Sequence, residues 1–291
     1  MKKNIGRALY AFSILSVLFC QVGVTSVAAA ATFVVNSTSD ALDDNPGDGV
    51  CHTAAVECTL RAAVQEANAS AGTDTISVPA GTYTLSVGAS GEDAAAAGDL
   101  DITESVIITG AGMNGTVIDA NSIDRAFQVI SGTLTISDLT IQHGTANPGG
   151  GILVASQAAI SRVGFNSNQS NSTLPDGQGG GVYIDAGASA TITQSVFTGN
   201  SVNYGGGAVA TAGGGASFSI TDSIFDSNYG GFGGGALYPN GGASTVLRST
   251  FTNNSATETT GPSGSVGGAI HSNATGGVLV ENSTFVGNIA P

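Results

Sequence analysis

Thr191-Ile192-Thr193-Gln194-Ser195-Val196-Phe197-Thr198-Gly199-Asn200 is one copy of a pattern that returns through the second half of the chain. Its kernel, Phe-x-x-Asn, stands at Phe165 and Asn168, Phe197 and Asn200, Phe225 and Asn228, Phe251 and Asn254, and Phe285 and Asn288. Between successive copies lies a glycine pair followed by an apolar residue: Gly180-Gly181-Val182, Gly206-Gly207-Ala208, Gly234-Gly235-Ala236 and Gly267-Gly268-Ala269. The phenylalanines are 32, 28, 26 and 34 residues apart. That spread excludes a repeat of fixed length and suits coils whose loops vary.

The residues before each Phe are also periodic. Five positions earlier stand Ile160, Ile192, Ile220, Val246 and Val280; two positions earlier stand Val163, Ser195, Ser223, Ser249 and Ser283. Strand alternation predicts these positions and the Phe on one side and their neighbours on the other. A helical 3.6 period is absent. One strand pair of this kind buries little, but coils stacked about 4.8 Å apart build continuous columns of Phe and Ile. Each aromatic buried there contributes about 2–3 kcal/mol. The expected fold is all-β: a right-handed parallel β-helix over residues 75–291, with a short N-terminal capping helix.

Asparagine recurring at one corner is expected to serve a bend in left-handed geometry, with its amides stacked from coil to coil. The glycine pairs are expected to turn the chain sharply into the next strand without a Cβ clash. Three residues before each Phe come Arg162, Gln194, Asp222, Arg248 and Asn282, expected to face solvent. The stretch Leu134 to Ile141 fits the same frame, with Ile141 at the Phe place and Gly144 at the Asn place. Asp138 then lies beside Arg162, and Asp222 beside Arg248, as surface ion pairs worth under about 1 kcal/mol each.

Residues 75–130 read as earlier, less regular coils, interrupted at 88–98 by a surface loop. Residues 59–69 form the expected helix, with Thr59 as N-cap and Leu60, Ala63, Val64 and Ala67 on one face. It covers the open N-terminal end of the solenoid, with a strand at 32–36 packed nearby.

Met1-Lys2-Lys3-Asn4-Ile5-Gly6-Arg7, an apolar run from Ala8 to Cys20 and then Val27-Ala28-Ala29-Ala30-Ala31 read as a secretory signal peptide over residues 1–30, cut near Ala30. The apolar run is short for a membrane anchor, and Phe19 stands where a lipoprotein site at Cys20 needs a small residue. The chain is expected to be secreted, extracellular or on the outer cell surface. Cleavage leaves Arg61, Arg125, Arg162 and Arg248 as the fixed cations, against all 21 Asp and Glu. So acidic a surface argues against nucleic acid and against anionic lipid. Cys51 and Cys58 read as a small-loop disulfide in preference to a metal pair, since His52 alone does not complete a zinc ligand set.

The stretch Phe33-Val34-Val35-Asn36, Pro46-Gly47-Asp48-Gly49-Val50-Cys51 and Cys58-Thr59-Leu60-Arg61-Ala62-Ala63-Val64-Gln65-Glu66-Ala67-Asn68 resembles the CSLREA domain, a module at the front of exported bacterial β-helix proteins. The namesake hexapeptide is Cys58-Thr59-Leu60-Arg61-Ala62-Ala63, with Thr in place of Ser and Ala in place of Glu. Residues 31–74 are assigned to that module. The later coils resemble the pectin-lyase-like superfamily and the chlamydial polymorphic outer-membrane protein repeat. The CSLREA resemblance implies export and architecture and brings no catalytic residues.

The chemistry best known on the pectin-lyase-like fold is polysaccharide lysis or hydrolysis. A Ca-dependent lyase needs acidic ligands for Ca²⁺ and a basic group, often Arg, to take the proton; a glycoside hydrolase needs paired carboxylates. Asp119, Asp124 and Arg125 lie together in sequence and read as a polar loop with a local ion pair. Gln142-His143-Gly144 is similar to the Gly-His-Gly of polygalacturonases but lacks the first glycine and the accompanying basic motif. His271 has no acidic neighbour in sequence. Asp43-Asp44-Asn45-Pro46-Gly47-Asp48-Gly49 reads as a plain turn before Cys51, with calcium as the lesser alternative. No residue is assigned a catalytic or metal role. The favoured function is a structural, adhesive or ligand-binding module whose partner is a carbohydrate or a host or cell surface. Long segments at 169–178 and 255–266 both follow the Asn corner and are expected to project from one edge. The end at Gly287-Asn288-Ile289-Ala290-Pro291 follows directly on a repeat without a polar cap, so further coils are expected beyond it.

Overall fold

The computed structural model describes residues 30–88, 91–171, 178–257 and 266–291. Apart from Ala30 the expected leader lies outside the described residues, as do the middles of the two long segments. The described chain is a right-handed parallel β-helix of about six turns. Strands of successive coils pair in parallel into one long sheet and two six-stranded sheets. The long sheet runs from Thr32–Val34 through Asp74–Ser77, Thr133–Gln142 and Gln157–Asn166 to Val278–Glu281. The second sheet runs from Leu100–Ile102 to Leu237–Tyr238; the third contains Thr145–Ala146, Gln169–Ser170, Ser201–Gly206, Tyr229–Phe232 and Ser255–Ala256. Both long segments leave this third sheet.

The phenylalanines form the expected column. Successive rings from Phe165 to Phe285 stack at 4.6, 4.8, 4.7 and 4.8 Å, within 9° of parallel. Isolated aromatic pairs prefer offset or edge-on contacts. The spacing here equals the distance between hydrogen-bonded strands, so the backbone ladder sets it. Ile160, Ile192, Ile220 and Val246 form a second interior column, and Val163, Ser195, Ser223 and Ser249 a third.

Simple alternation cannot put all three columns inside, because positions five and two before Phe have opposite parity. The position three before Phe resolves this. Asp138, Arg162, Gln194, Asp222, Arg248 and Asn282 all have φ between 47° and 60°, so each strand bends there and restarts in the other phase. The N–H freed at the bend finds a serine. Val163 N donates to Ser195 Oγ, Ser195 N to Ser223 Oγ and Ser223 N to Ser249 Oγ, each at 3.2 Å. Each serine hydroxyl in turn donates to the carbonyl two residues back, as Ser195 does to Thr193 at 2.9 Å.

Asparagine stacks as expected but is not itself left-handed. The positive φ falls one residue earlier, at Ser167, Gly199, Ser227, Asn253 and Gly287. This turn swings the asparagine inward, where Asn168, Asn200, Asn228 and Asn254 are fully buried. The glycine pairs stand where expected, at the bend into the strands Val182–Ile184, Val209–Thr211 and Leu237–Tyr238. Gly180, Gly207 and Gly235 have ordinary φ. A Cβ on any of them would strike the carbonyl oxygen of the matching glycine one coil on (Gly207, Gly235 and Gly268). At this bend the close approach of the next coil, and not a positive φ, excludes a side chain.

The helix Leu60–Ala69 begins at Thr59, whose hydroxyl accepts the Ala62 N–H. Arg61 is fully buried. Its guanidinium makes two bonds to Asp40, at 2.6 and 3.1 Å, and three more to the carbonyls of Ala95, Gly98 and Asp99. Residues 91–98 are the expected surface loop, with Gly91, Asp93, Ala94 and Ala96 exposed, but Arg61 ties the loop to the cap and Ala95 is fully buried. Cys51 and Cys58 form a disulfide. Glu66 accepts the N–H groups of Gly47 and Gly49, which ties the turn before Cys51 to the helix.

Phe225→Ala should cost about 3–5 kcal/mol, because the site is fully buried between two rings. Phe285→Ala should cost less than half as much, since Phe285 is 46 % exposed and touches one ring. Urea denaturation of the two variants measures the difference, and equal losses would contradict an interior column.

Candidate ligand-binding cleft

Arg125 precedes the strand Phe127–Val129 of the second sheet, which pairs with Leu100–Ile102 one coil earlier. That pairing sets Gln128 opposite Asp101 and brings Arg125 to Asp99 at 2.8 Å. Arg125 also donates to Gln128 Oε1, and Gln128 Nε2 donates to Asp93 at 3.1 Å. Arg125 Nε is buried without a hydrogen-bond partner. Beside this network opens a cleft of about 400 Å³, lined by Ile123, Asp124, Arg125, Gln128, Thr145 and Asn147. Amide, hydroxyl, carboxylate and guanidinium groups around one exposed aliphatic side chain match a neutral polyhydroxyl ligand better than an apolar one.

The carboxyls behind the cleft are shifted upward. Burial raises Asp99; the Arg125 charge opposes it, Asp124 adds to it, and the carboxyl ends at about 6. Burial raises Asp101 further, against the hydrogen bond from the Ala95 N–H and with help from Asp99, Glu92 and Asp93, to about 7. Asp101 Oδ2 accepts Ala95 N at 2.8 Å, whereas its Oδ1 is buried without a partner. A protonated acid suits such a site better than an ionised one.

The structure separates residues that sequence places together. The Arg125 guanidinium pairs with Asp99, while Asp124 accepts only the Arg125 backbone N–H, at 2.8 Å. Asp119 instead meets His143 at 3.2 Å and Gln142 at 2.8 Å. Burial works to raise the Asp119 carboxyl, but bonds from Gln142, the Asn121 N–H and His143 outweigh it and hold it below the ordinary range. His271 stacks on Tyr238, with centroids 5.6 Å apart, and burial lowers its pKa against a bond with Asn273.

The segment beginning at Asp43 is filled largely by its own backbone. Asp43 accepts the N–H groups of Asn45 and His52, and Asp48 accepts that of Val50. Ligand atoms of Asp43, Asp44 and His52 lie within 4.8 Å of one another, with His52 Nδ1 at 2.7 Å from Asp44.

The two surface pairs are present and bidentate: Arg162 meets Asp138 at 2.7 and 2.6 Å, and Arg248 meets Asp222 at 2.7 and 2.8 Å. Asp99, Gln128 and Asn147 were not legible as site residues. The usable signal is an offset: Asp99 precedes Arg125 by 26 residues, the spacing that separates Asp222 from Arg248.

Because the folded values of Asp99 and Asp101 lie above the unfolded carboxylate value of about 3.9, the folded chain keeps protons that the unfolded chain releases. Their stabilising contribution is complete below that value and is lost as pH rises through about 6 and about 7. Asp40, Asp138 and Asp222, held below the ordinary value, act in the opposite sense and only under more acid conditions. Urea unfolding from pH 5 to 8 should show stability falling, and Asp101→Asn should remove the upper part of the slope. A flat profile in the parent chain would refute the buried carboxyl pair. Comparison with protein-family models, with curated proteins and with solved structures finds no match for this chain.

Proposed function

We propose that this is an exported, extracellular or cell-surface β-helix with a structural, adhesive or ligand-binding role. Its ligand is a carbohydrate held at the Arg125 cleft. Export is supported by the leader-like sequence at residues 1–30, the CSLREA-like residues at 31–74 and the disulfide of Cys51 and Cys58. No described helix is long and apolar enough to cross a membrane.

One observation weighs most against lyase chemistry. Among the described residues every arginine is paired with a carboxylate: Arg61 with Asp40, Arg125 with Asp99, Arg162 with Asp138 and Arg248 with Asp222. A lyase base must be free to take a proton. The cleft offers fixed hydrogen-bonding groups instead, the equipment of a binding site.

Calorimetric titration with neutral oligosaccharides tests this reading. Binding should be saturable, and Gln128→Ala and Asn147→Ala should each weaken it about tenfold, or 1.4 kcal/mol, with the thermal midpoint of the protein unchanged. Release of unsaturated uronate in the presence of Ca²⁺, abolished by Arg125→Ala, would replace this reading with a lyase. Failure of every neutral glycan to bind would remove the ligand.

A further inference from the structure

Asp74 is a fully buried carboxylate with half its bonding unmet. Its Oδ1 accepts the backbone N–H of Ala31 at 2.6 Å. Its Oδ2 is buried with no hydrogen-bond partner. Among the described residues neither arginine nor histidine pairs with it. A buried carboxylate served by one neutral donor is poorly compensated.

The donor is held in place by the sheet. Ala31 immediately precedes the strand Thr32–Val34, which pairs in parallel with Asp74–Ser77, and the Ala31 carbonyl accepts the Thr75 N–H at 2.9 Å. Ala31 packs against the core, whereas Ala30 is exposed. The bond between them has Ala30 at its −1 position and Ala28 at its −3 position, the small residues a leader peptidase requires.

We infer that the chain is processed between Ala30 and Ala31, and that the α-ammonium released on Ala31 is the cation Asp74 is placed to bind. This inference rests on the export reading. Water and a leader peptidase supply the reaction. The Ala30–Ala31 C–N bond breaks, the hydroxyl of water joins the Ala30 carbonyl carbon and a proton goes to the Ala31 nitrogen. At neutral pH the products are a carboxylate on Ala30 and an ammonium on Ala31. A peptide nitrogen has one hydrogen to donate; an ammonium has three and a full charge, enough for both oxygens of Asp74. The first strand of the cap, already paired with Asp74–Ser77, thus gains a charged tie at its start only once the leader has gone.

The sequence provides a selective probe. Lys2 and Lys3 are the only lysines and leave with the leader, so the mature chain has a single amine. The exported chain should begin Ala-Thr-Phe-Val on N-terminal sequencing. N-hydroxysuccinimidyl acetate, followed by intact mass, should acylate it at least tenfold more slowly when native than in urea, and Asp74→Asn should restore much of the rate. If that variant does not fold, wild-type chain acetylated in urea and refolded should melt several degrees below the unmodified chain. A different N-terminus would sink the leader reading and this inference with it. An Ala31 start with equally fast native and unfolded acylation, or with equal melting after acetylation, would overturn the Asp74 assignment alone.

Discussion

Each buried asparagine in the body of the solenoid has its whole amide engaged, and the register of one coil on the next depends on that. Asn200 Oδ1 accepts both the backbone N–H and the side-chain Nδ2 of Asn168, each at 3.0 Å. Asn200 Nδ2 donates to Asn228 Oδ1 at 3.0 Å and to the Phe165 carbonyl at 2.9 Å. The same set of bonds repeats at Asn228 and Asn254. Leaving any one of these groups unmet in a dry interior costs about 1–3 kcal/mol, so a slipped coil would lose several bonds together. The ladder starts where Gly144 N, at the Asn place of an earlier coil, donates to Asn168 Oδ1 at 2.9 Å.

The rest of the cross-section follows. With the corner fixed, phenylalanine three residues earlier must stack at the strand spacing. The carbonyl that receives the next asparagine's amide belongs to that same phenylalanine in the coil before. On the far side of the corner, the glycine pair lets successive backbones pass at a distance no Cβ would permit. Between the corner and the glycine pair the number of residues differs from coil to coil while the stack is kept. The cap is held differently: Arg61 uses one buried guanidinium to join Asp40 to three carbonyls of the segment ending at Asp99. Polar networks therefore organise both parts, by repetition in the body and by a single charge in the cap.

The β-helix was legible because Phe and Asn recur as identities. A column one residue wide tolerates little else, and repetition exposes it. The bend three residues before Phe was not legible, since its occupants are Asp, Arg, Gln and Asn, and arginine has no preference for positive φ. Its trace was the parity clash between Ile192 and Ser195, read as alternation. Ser195, Ser223 and Ser249 repeat for the same reason as asparagine, yet a serine in an apolar column reads as mere tolerance until its partner N–H is seen. The left-handed corner itself is occupied by Ser, Gly or Asn, so it produces no single-letter repeat. The Arg125 cleft stayed hidden because its members come from separate coils: Asp99 and Arg125 meet only once the coil offset is known, and Asn147 arrives from a third coil.

The ladder is open to direct observation. In an amide-resolved NMR spectrum, the side-chain Nδ2 protons of Asn200 and Asn228 should exchange with deuterated solvent as slowly as the backbone amides of their own strands. Those of Asn45, in the turn before Cys51, should exchange far faster. Rapid exchange at Asn200 and Asn228 while the strand amides stay protected would contradict a ladder that fixes the coils.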